Sequence, residues 1–165
     1  MRETIESIER EYRRYRTLAE STFAALSAEQ LAQVAGVEGN SIAVIAWHVS
    51  GNLKSRFTDF LTSDGEKAWR QRDSEFENRV VTHDELLTKW AEGWEVLFVT
   101  LRALTDNDLG SEVRIRGEAM TVRDALHRSL AHTTYHVGQI VLLGKSFRGA
   151  EWRSLSIPRR RTPSA

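Results

Sequence analysis

The chain has 165 residues, no cysteine, and equal numbers of basic and acidic residues, 23 of each. A net charge of zero gives no overall field to attract nucleic acid or an anionic membrane, so we expect neither as a partner. The absence of cysteine excludes disulfides, cysteine-ligated metal centres and a thiol nucleophile supplied by the protein. Because the N-terminus is charged throughout and lacks the apolar core of a signal peptide, and no apolar run approaches the ~18 residues that cross a bilayer, we expect a cytoplasmic location.

The two prolines, Pro158 and Pro163, both lie near the C-terminus, so the commonest helix breaker is absent from the first 157 residues. We expect a single helical-bundle domain over residues 1–157. The tail, residues 158–165, combines proline and serine with three arginines. This composition predicts a disordered basic tail.

Apolar residues recur every three or four positions in four segments, which is the pattern of amphipathic helices. The segments run from 1 to about 25, from 41 to about 61, from 82 to about 104 and from 121 to about 147. Ser41 and Thr121 can cap two of these helices, and Thr82 with Glu85 has the spacing of a capping box. A similar spacing after Ser27 predicts a short additional helical turn.

Two long connections separate the later helices. Residues 62–81 are polar and lack any sustained period, and loops of ~20 residues in compact domains are usually functional or mobile. Alternating residues from Val113 to Arg116, followed by Gly117, predict a small hairpin near 111–120. The sequence therefore predicts an all-α four-helix bundle with crossover connections.

Three of the five histidines can face one interior. His132 and His136 are four residues apart, so on a helix both imidazoles can reach one metal ion. His48 lies on the apolar side of the second helix. Spacing alone leaves a second interpretation open, in which the three are core or partly exposed histidines that bond neighbouring groups. We assign His83 and His127 to solvent or to local hydrogen bonds.

The segments AWHVSGNLKSRF and LHRSLAHTTYHVGQIVLLGKSF, with the SLSIP end, resemble the DinB/YfiT-like superfamily of metal-dependent four-helix bundles, and most closely an uncharacterised bacterial branch. In that superfamily one histidine of the second helix joins an H-x-x-x-H pair of the last long helix, often followed by Gly-Gln. His48, His132, His136, Gly138 and Gln139 occupy those places. The resemblance implies a divalent metal on these three histidines. Together with five tryptophans, it also implies a homodimer.

Three neutral imidazoles leave a coordination position open, as in catalytic metal sites. A bound water would supply hydroxide near neutral pH, and a bound thiol would supply a thiolate. Because the chain has no cysteine, the thiol would belong to a cosubstrate. Zinc or nickel suits imidazole ligands.

Several neighbours are candidates for a role around the metal. Asn52 and Gln139 are placed to orient His48 and His136, and Tyr135 could donate a proton, although all three also fit ordinary polar surface or packing. Gly51 and Gly138 lie inside predicted helices, where glycine costs about 1 kcal/mol relative to alanine. Close approach at the site would explain both glycines, and a helix crossing elsewhere would do so equally well.

The polar connection contains three candidates for substrate binding: Trp69, Arg70 and Arg72. The segment could close over the site and bind a carboxylate-bearing thiol through either arginine. The alternative is a solvated loop that Trp69 pins to the domain. Trp90 and Trp94 are assigned to the core, with ligand stacking as the second interpretation.

Three functions follow from these observations. Some relatives in the superfamily are described as transferases that use a low-molecular-weight thiol, which makes a metal-dependent thiol transferase the first hypothesis. The second is a hydrolase with a bound hydroxide, although the sequence has no obvious carboxylate beside the H-x-x-x-H pair to act as a protease base. The third is a non-catalytic metal-binding protein with a stress or interaction role.

Overall fold

A computed structural model describes residues 1–37 and 39–157 of the chain. It contains four long helices and one short helix: α1 (Glu3–Ala24), α2 (Ala28–Ala32), α3 (Ile42–Phe57), α4 (His83–Ala103) and α5 (Val122–Arg148). A hairpin of β1 (Glu112–Ile115) and β2 (Glu118–Thr121) precedes α5. The prediction of an all-α bundle with one small hairpin is confirmed. The predicted tail, residues 158–165, lies outside the described residues.

Helix starts follow the residues that favour them. Ser27 and Thr82 each form a complete capping box, with Gln30 and Glu85 respectively. The side chains of Ser41 and Thr121 accept hydrogen bonds from the first turns of α3 and α5. A cap of this kind satisfies a backbone N–H that would otherwise lack a partner, and it stabilises a helix by ~1 kcal/mol.

The second long helix is shorter than predicted. It ends at Phe57 rather than near Leu61, because Thr58 is extended and Asp59 has a φ of 49°. A left-handed residue cannot continue a right-handed helix. The apolar Phe60 is nevertheless buried. Buried apolar residues therefore continue past the end of the helix that their spacing predicts.

Aromatic side chains of α4 fill the middle of the bundle. Trp90 and Trp94 are fully buried, and Phe23 and Tyr12 of α1 contact them edge-on with ring centroids 5.3 and 6.1 Å apart. Edge-to-face contacts of this kind add to the free energy of burial. The two tryptophans are therefore core residues, as the first interpretation held.

Helix α3 packs mainly against α4, and α1 against α5. The α3–α4 contact is close because α4 has a glycine there. A Cβ at Gly93 would lie 2.4 Å from the carbonyl oxygen of Ser50, which is closer than carbon and oxygen can approach. This crossing fixes α3, and with it His48, relative to the rest of the bundle.

The α3–α4 connection, residues 58–82, is irregular apart from a 3₁₀ turn at Asp73–Phe76. It is clamped to the hairpin: the carboxylate of Asp64 accepts hydrogen bonds from the backbone N–H groups of Arg116 (2.9 Å) and Gly117 (2.7 Å). Both of these turn residues have positive φ, which suits a tight hairpin turn. None of the described helices has the length and apolarity that crossing a membrane requires.

Candidate metal centre

The imidazoles of His48, His132 and His136 meet between α3 and α5. Nε2 of His132 lies 3.3 Å from Nε2 of His48 and 3.2 Å from Nε2 of His136. One ligand atom from each residue lies within 4.8 Å of the others. The helix crossings thus bring together the three histidines that the sequence singled out.

The donor set fits a divalent ion. Imidazole nitrogens ~2.0–2.1 Å from a tetrahedral zinc lie ~3.4 Å from one another, close to the two N···N distances of 3.3 and 3.2 Å. Converging lone pairs repel one another unless a proton or a cation lies between them. The three histidines could therefore hold a metal ion.

Outer hydrogen bonds orient two of the three rings. Nδ1 of His48 lies 3.0 Å from Oε2 of Glu75, and Nδ1 of His136 lies 2.8 Å from Oε1 of Gln139. Because an ionised carboxylate and an amide oxygen can only accept, each Nδ1 carries the proton. The lone pair of each Nε2 is then directed to the shared centre, which is the tautomer that a metal requires.

Sequence reasoning missed Glu75. It belongs to the 3₁₀ turn of the α3–α4 connection, where no hydrophobic period assigns a direction to a side chain. Its carboxylate is buried and also accepts two hydrogen bonds from Arg70, both of 2.8 Å. Burial opposes its ionisation, but the hydrogen bonds from Arg70 and His48 outweigh this and keep the pKa of Glu75 below its ordinary value.

Gly51 provides the signal that could have pointed to this contact. A Cβ at Gly51 would lie 2.1 Å from Oε1 of Glu75, so the glycine leaves room for the carboxylate beside α3. Close approach at the site therefore explains Gly51. It does not explain Gly138, where no described atom comes within 4 Å of an added Cβ.

The three loop candidates have different surroundings. The side chain of Arg70 is only 2% exposed and is paired with Glu75, so it is not available to bind a substrate carboxylate by itself. Trp69 is 53% exposed, and it is Arg70 rather than Trp69 that anchors the loop. Arg72 lies over the ring of Phe76 and lines the cavity described below.

Asn52 and Tyr135 are the remaining candidates for a role around the metal. Among the described residues, Asn52 makes no hydrogen bond to any of the three imidazoles, and it lines the cavity instead. Tyr135 is exposed, its ring is 4.9 Å from that of His136, and its hydroxyl accepts a hydrogen bond from Gln139. Tyr135 thus contacts the residue that orients a candidate ligand.

The other two histidines lie apart from the cluster. His127 is exposed, as expected. His83 is 2.8 Å from the carbonyl oxygen of Leu26, a residue 57 positions earlier. His83 is half-buried and bonds a group that is distant in the sequence, which differs from the expectation of solvent or a local hydrogen bond, because the fold brings the start of α4 to the end of α1.

Burial keeps His132 and His136 uncharged. The pKa of His132 falls to about 3, first because the ring is buried and then because His136, His48 and two arginines are close. Burial also lowers the pKa of His136, although the hydrogen bond to Gln139 opposes the shift. Both imidazoles are thus neutral at pH 7, the form that binds metal.

A cavity of about 220 Å³ adjoins the cluster, and His48 and His132 form part of its wall. Five arginines also line it: Arg56, Arg70, Arg72, Arg116 and Arg128. Within the part of the chain that the structure describes, no aspartate or glutamate lines this cavity. A molecule in the cavity would lie beside the imidazoles in strongly basic surroundings.

The family model described as Protein of unknown function (DUF1572) matches residues 1–161. The chain belongs to this family. No curated protein and no solved structure is significantly similar to the chain. The DUF1572 description assigns no activity, so the function has to be argued from the site.

Proposed function

We propose that the chain is a metal-dependent transferase that activates a low-molecular-weight thiol, with His48, His132 and His136 as the metal ligands. The observation that carries this proposal is the convergence of the three ligand atoms within 4.8 Å at the wall of a cavity. Zinc or nickel is the expected ion, because imidazole nitrogen suits both. The resemblance to the DinB/YfiT-like superfamily, which includes thiol transferases, supports the same assignment.

His48, His132 and His136 would hold a divalent ion, and that ion would lower the pKa of a coordinated thiol so that a thiolate is available at neutral pH. The protein's part is to fix the imidazoles, which it does through Glu75 and Gln139. In the transfer, the thiol proton passes to water and the sulfur forms a bond to an electrophilic carbon of the second substrate. The leaving group departs with the bonding electron pair. Because the chain has no cysteine, the thiol is a cosubstrate.

The cavity wall favours transfer to a thiol over hydrolysis. Hydrolysis at a histidine-bound zinc commonly uses a nearby glutamate as general base. Among the described residues, no carboxylate lines the cavity, and the nearby Glu75 is already bonded to Arg70 and His48. A coordinated thiol would be deprotonated outright without such a base, whereas a coordinated water would be only partly ionised near neutral pH.

Calorimetric titration with zinc and with nickel tests the ligand set. We expect His48→Ala, His132→Ala and His136→Ala each to abolish tight binding, because two imidazoles do not define a site. His127→Ala is the matched control on α5 and should bind as the native protein does. Undiminished affinity in the His48 variant would overturn the three-histidine site.

The metal-loaded protein, supplied with a panel of small thiols and an activated aryl halide, tests the reaction. Metal-dependent loss of both thiol and halide supports the transferase. Metal-dependent hydrolysis of an activated ester without thiol supports the hydrolase instead. Metal binding with neither activity supports the non-catalytic role.

A further inference from the structure

The five arginines of the cavity wall form two groups. Arg56 and Arg70 are mostly buried and have structural partners. Arg56 donates to the carbonyl oxygen of Gly65 at 2.6 Å, and Arg70 is bound to Glu75. Arg72, Arg116 and Arg128 have side chains that are 48%, 58% and 59% exposed. The side chains of these three arginines lie around the cavity and are not buried in the core.

Nearby carboxylates neutralise these charges only in part. Glu66 lies within 4.0 Å of three of the arginines: Arg56, Arg70 and Arg116. Among the residues that the structure describes, Arg72 and Arg128 pair only with the exposed carboxylates of Asp73 and Glu118, at 3.4 and 4.0 Å. Exposed pairs of this kind contribute little, so a surplus of positive charge faces the cavity.

Ser129 also lines this wall, but its Oγ is buried and has almost no exposed surface. The donors that face the cavity are therefore the guanidinium groups, which suit the oxygens of an anion.

We propose that this cavity binds the carboxylate or phosphate group of the small molecule that reacts at the histidine cluster. The link to a reaction rests on the proposed function, whereas anion binding follows from the arginines alone. A volume of about 220 Å³ has room for about seven water molecules at ~30 Å³ each. The occupant is therefore a small metabolite-sized anion.

Calorimetric titration of metal-free protein tests the anion site independently of the metal. The probes are inorganic phosphate, succinate and the uncharged succinamide. We expect phosphate or succinate to bind and succinamide not to bind. The anion that binds more tightly shows whether the cavity prefers a phosphoryl or a carboxylate group. Arg72→Gln and Arg128→Gln should each weaken binding by about three- to tenfold, as expected for the loss of a hydrogen bond from a half-exposed side chain. Arg123→Gln, an exposed arginine of α5 outside the cavity, should leave it unchanged.

Two results would overturn the proposal: binding of neither anion by the metal-free protein, or equal affinities in the native protein and the doubly substituted Arg72→Gln, Arg128→Gln variant. The His136→Ala variant separates this proposal from the proposed function, because His136 is a candidate metal ligand that is not part of the cavity wall. It should lose zinc binding and keep anion binding. Loss of anion binding in that metal-free variant, with the arginine variants unaffected, would place the anion on the histidines and contradict an arginine site.

Discussion

Nδ1 of His48 lies 3.0 Å from Oε2 of Glu75, although 27 residues separate the two in the chain. One partner belongs to a core helix and the other to a 3₁₀ turn in an irregular connection. Arg70 holds the carboxylate from its other side through two hydrogen bonds. The orientation of a candidate metal ligand thus depends on a segment outside the bundle.

Replacing Glu75 should therefore weaken metal binding without removing a ligand. We expect Glu75→Gln to lower zinc affinity about 10- to 100-fold, the usual effect of losing a carboxylate that orients a ligating histidine. Competition against a metal indicator measures the change. Glu77→Gln, two residues later and exposed, is the control. Equal affinities in the two variants would contradict the role of Glu75.

Gly51→Ala should separate metal binding from stability. The new methyl group would collide with the end of the Glu75 side chain, so the carboxylate moves away from His48 while the helix remains intact. Zinc affinity should fall as it does in Glu75→Gln. Gly138→Ala, which meets no described atom within 4 Å, should keep zinc affinity and gain up to about 1 kcal/mol of helix stability. Titrations and melting curves of the two variants provide the comparison.

The three candidate metal ligands could be predicted from the sequence, whereas the roles of Glu75 and Arg70 could not. Helix periodicity placed His48, His132 and His136 on inward faces, because a helix fixes the direction of every side chain. Glu75 could not be placed, because an irregular connection has no such rule. The same limit applies to Arg70. Its charge suggests substrate binding, and only the structure shows that its side chain is buried and paired with Glu75. The hydrogen bonds between Asp64 and the hairpin turn could not be predicted either, because only the fold brings these two segments together.

Gly93→Ala should destabilise the fold itself. The added Cβ would come within 2.4–2.9 Å of three backbone atoms of Ser50, and backbone cannot rotate away as a side chain can. We expect the free energy of unfolding to fall by about 1–3 kcal/mol, the usual cost of overpacking. Urea denaturation measures the loss, with Gly110→Ala as a control that meets no described atom within 4 Å. A midpoint equal to that of the control would argue against the close α3–α4 crossing.

The metal-free protein should lose stability in acid through His132. Its pKa is about 3 in the folded state and ~6.5 in the unfolded chain. As the pH falls from about 6.5 to about 3, the unfolded state takes up a proton that the folded state does not, so the free energy of unfolding decreases. Above pH 6.5 this contribution is fully present.

His132→Gln removes the titrating group and should show a smaller loss of stability over the same range. Denaturation of both metal-free proteins at pH 7, 5.5 and 4 measures the difference. If the stabilities of the two proteins fall in parallel, His132 does not have a lowered pKa.

The cavity wall and the histidine cluster come largely from different parts of the chain. The clamp between Asp64 and the hairpin turn holds together the connections that form part of the wall. Arg70, Arg72 and Arg116, three of the five arginines around the cavity, belong to the clamped connections, whereas all three histidines belong to helices α3 and α5. Substitutions at Arg72 and Arg116 can change which molecule fits the cavity while the helices and Glu75 keep the imidazoles in place. The architecture thus allows descendants of one ancestral histidine cluster to diverge in ligand preference.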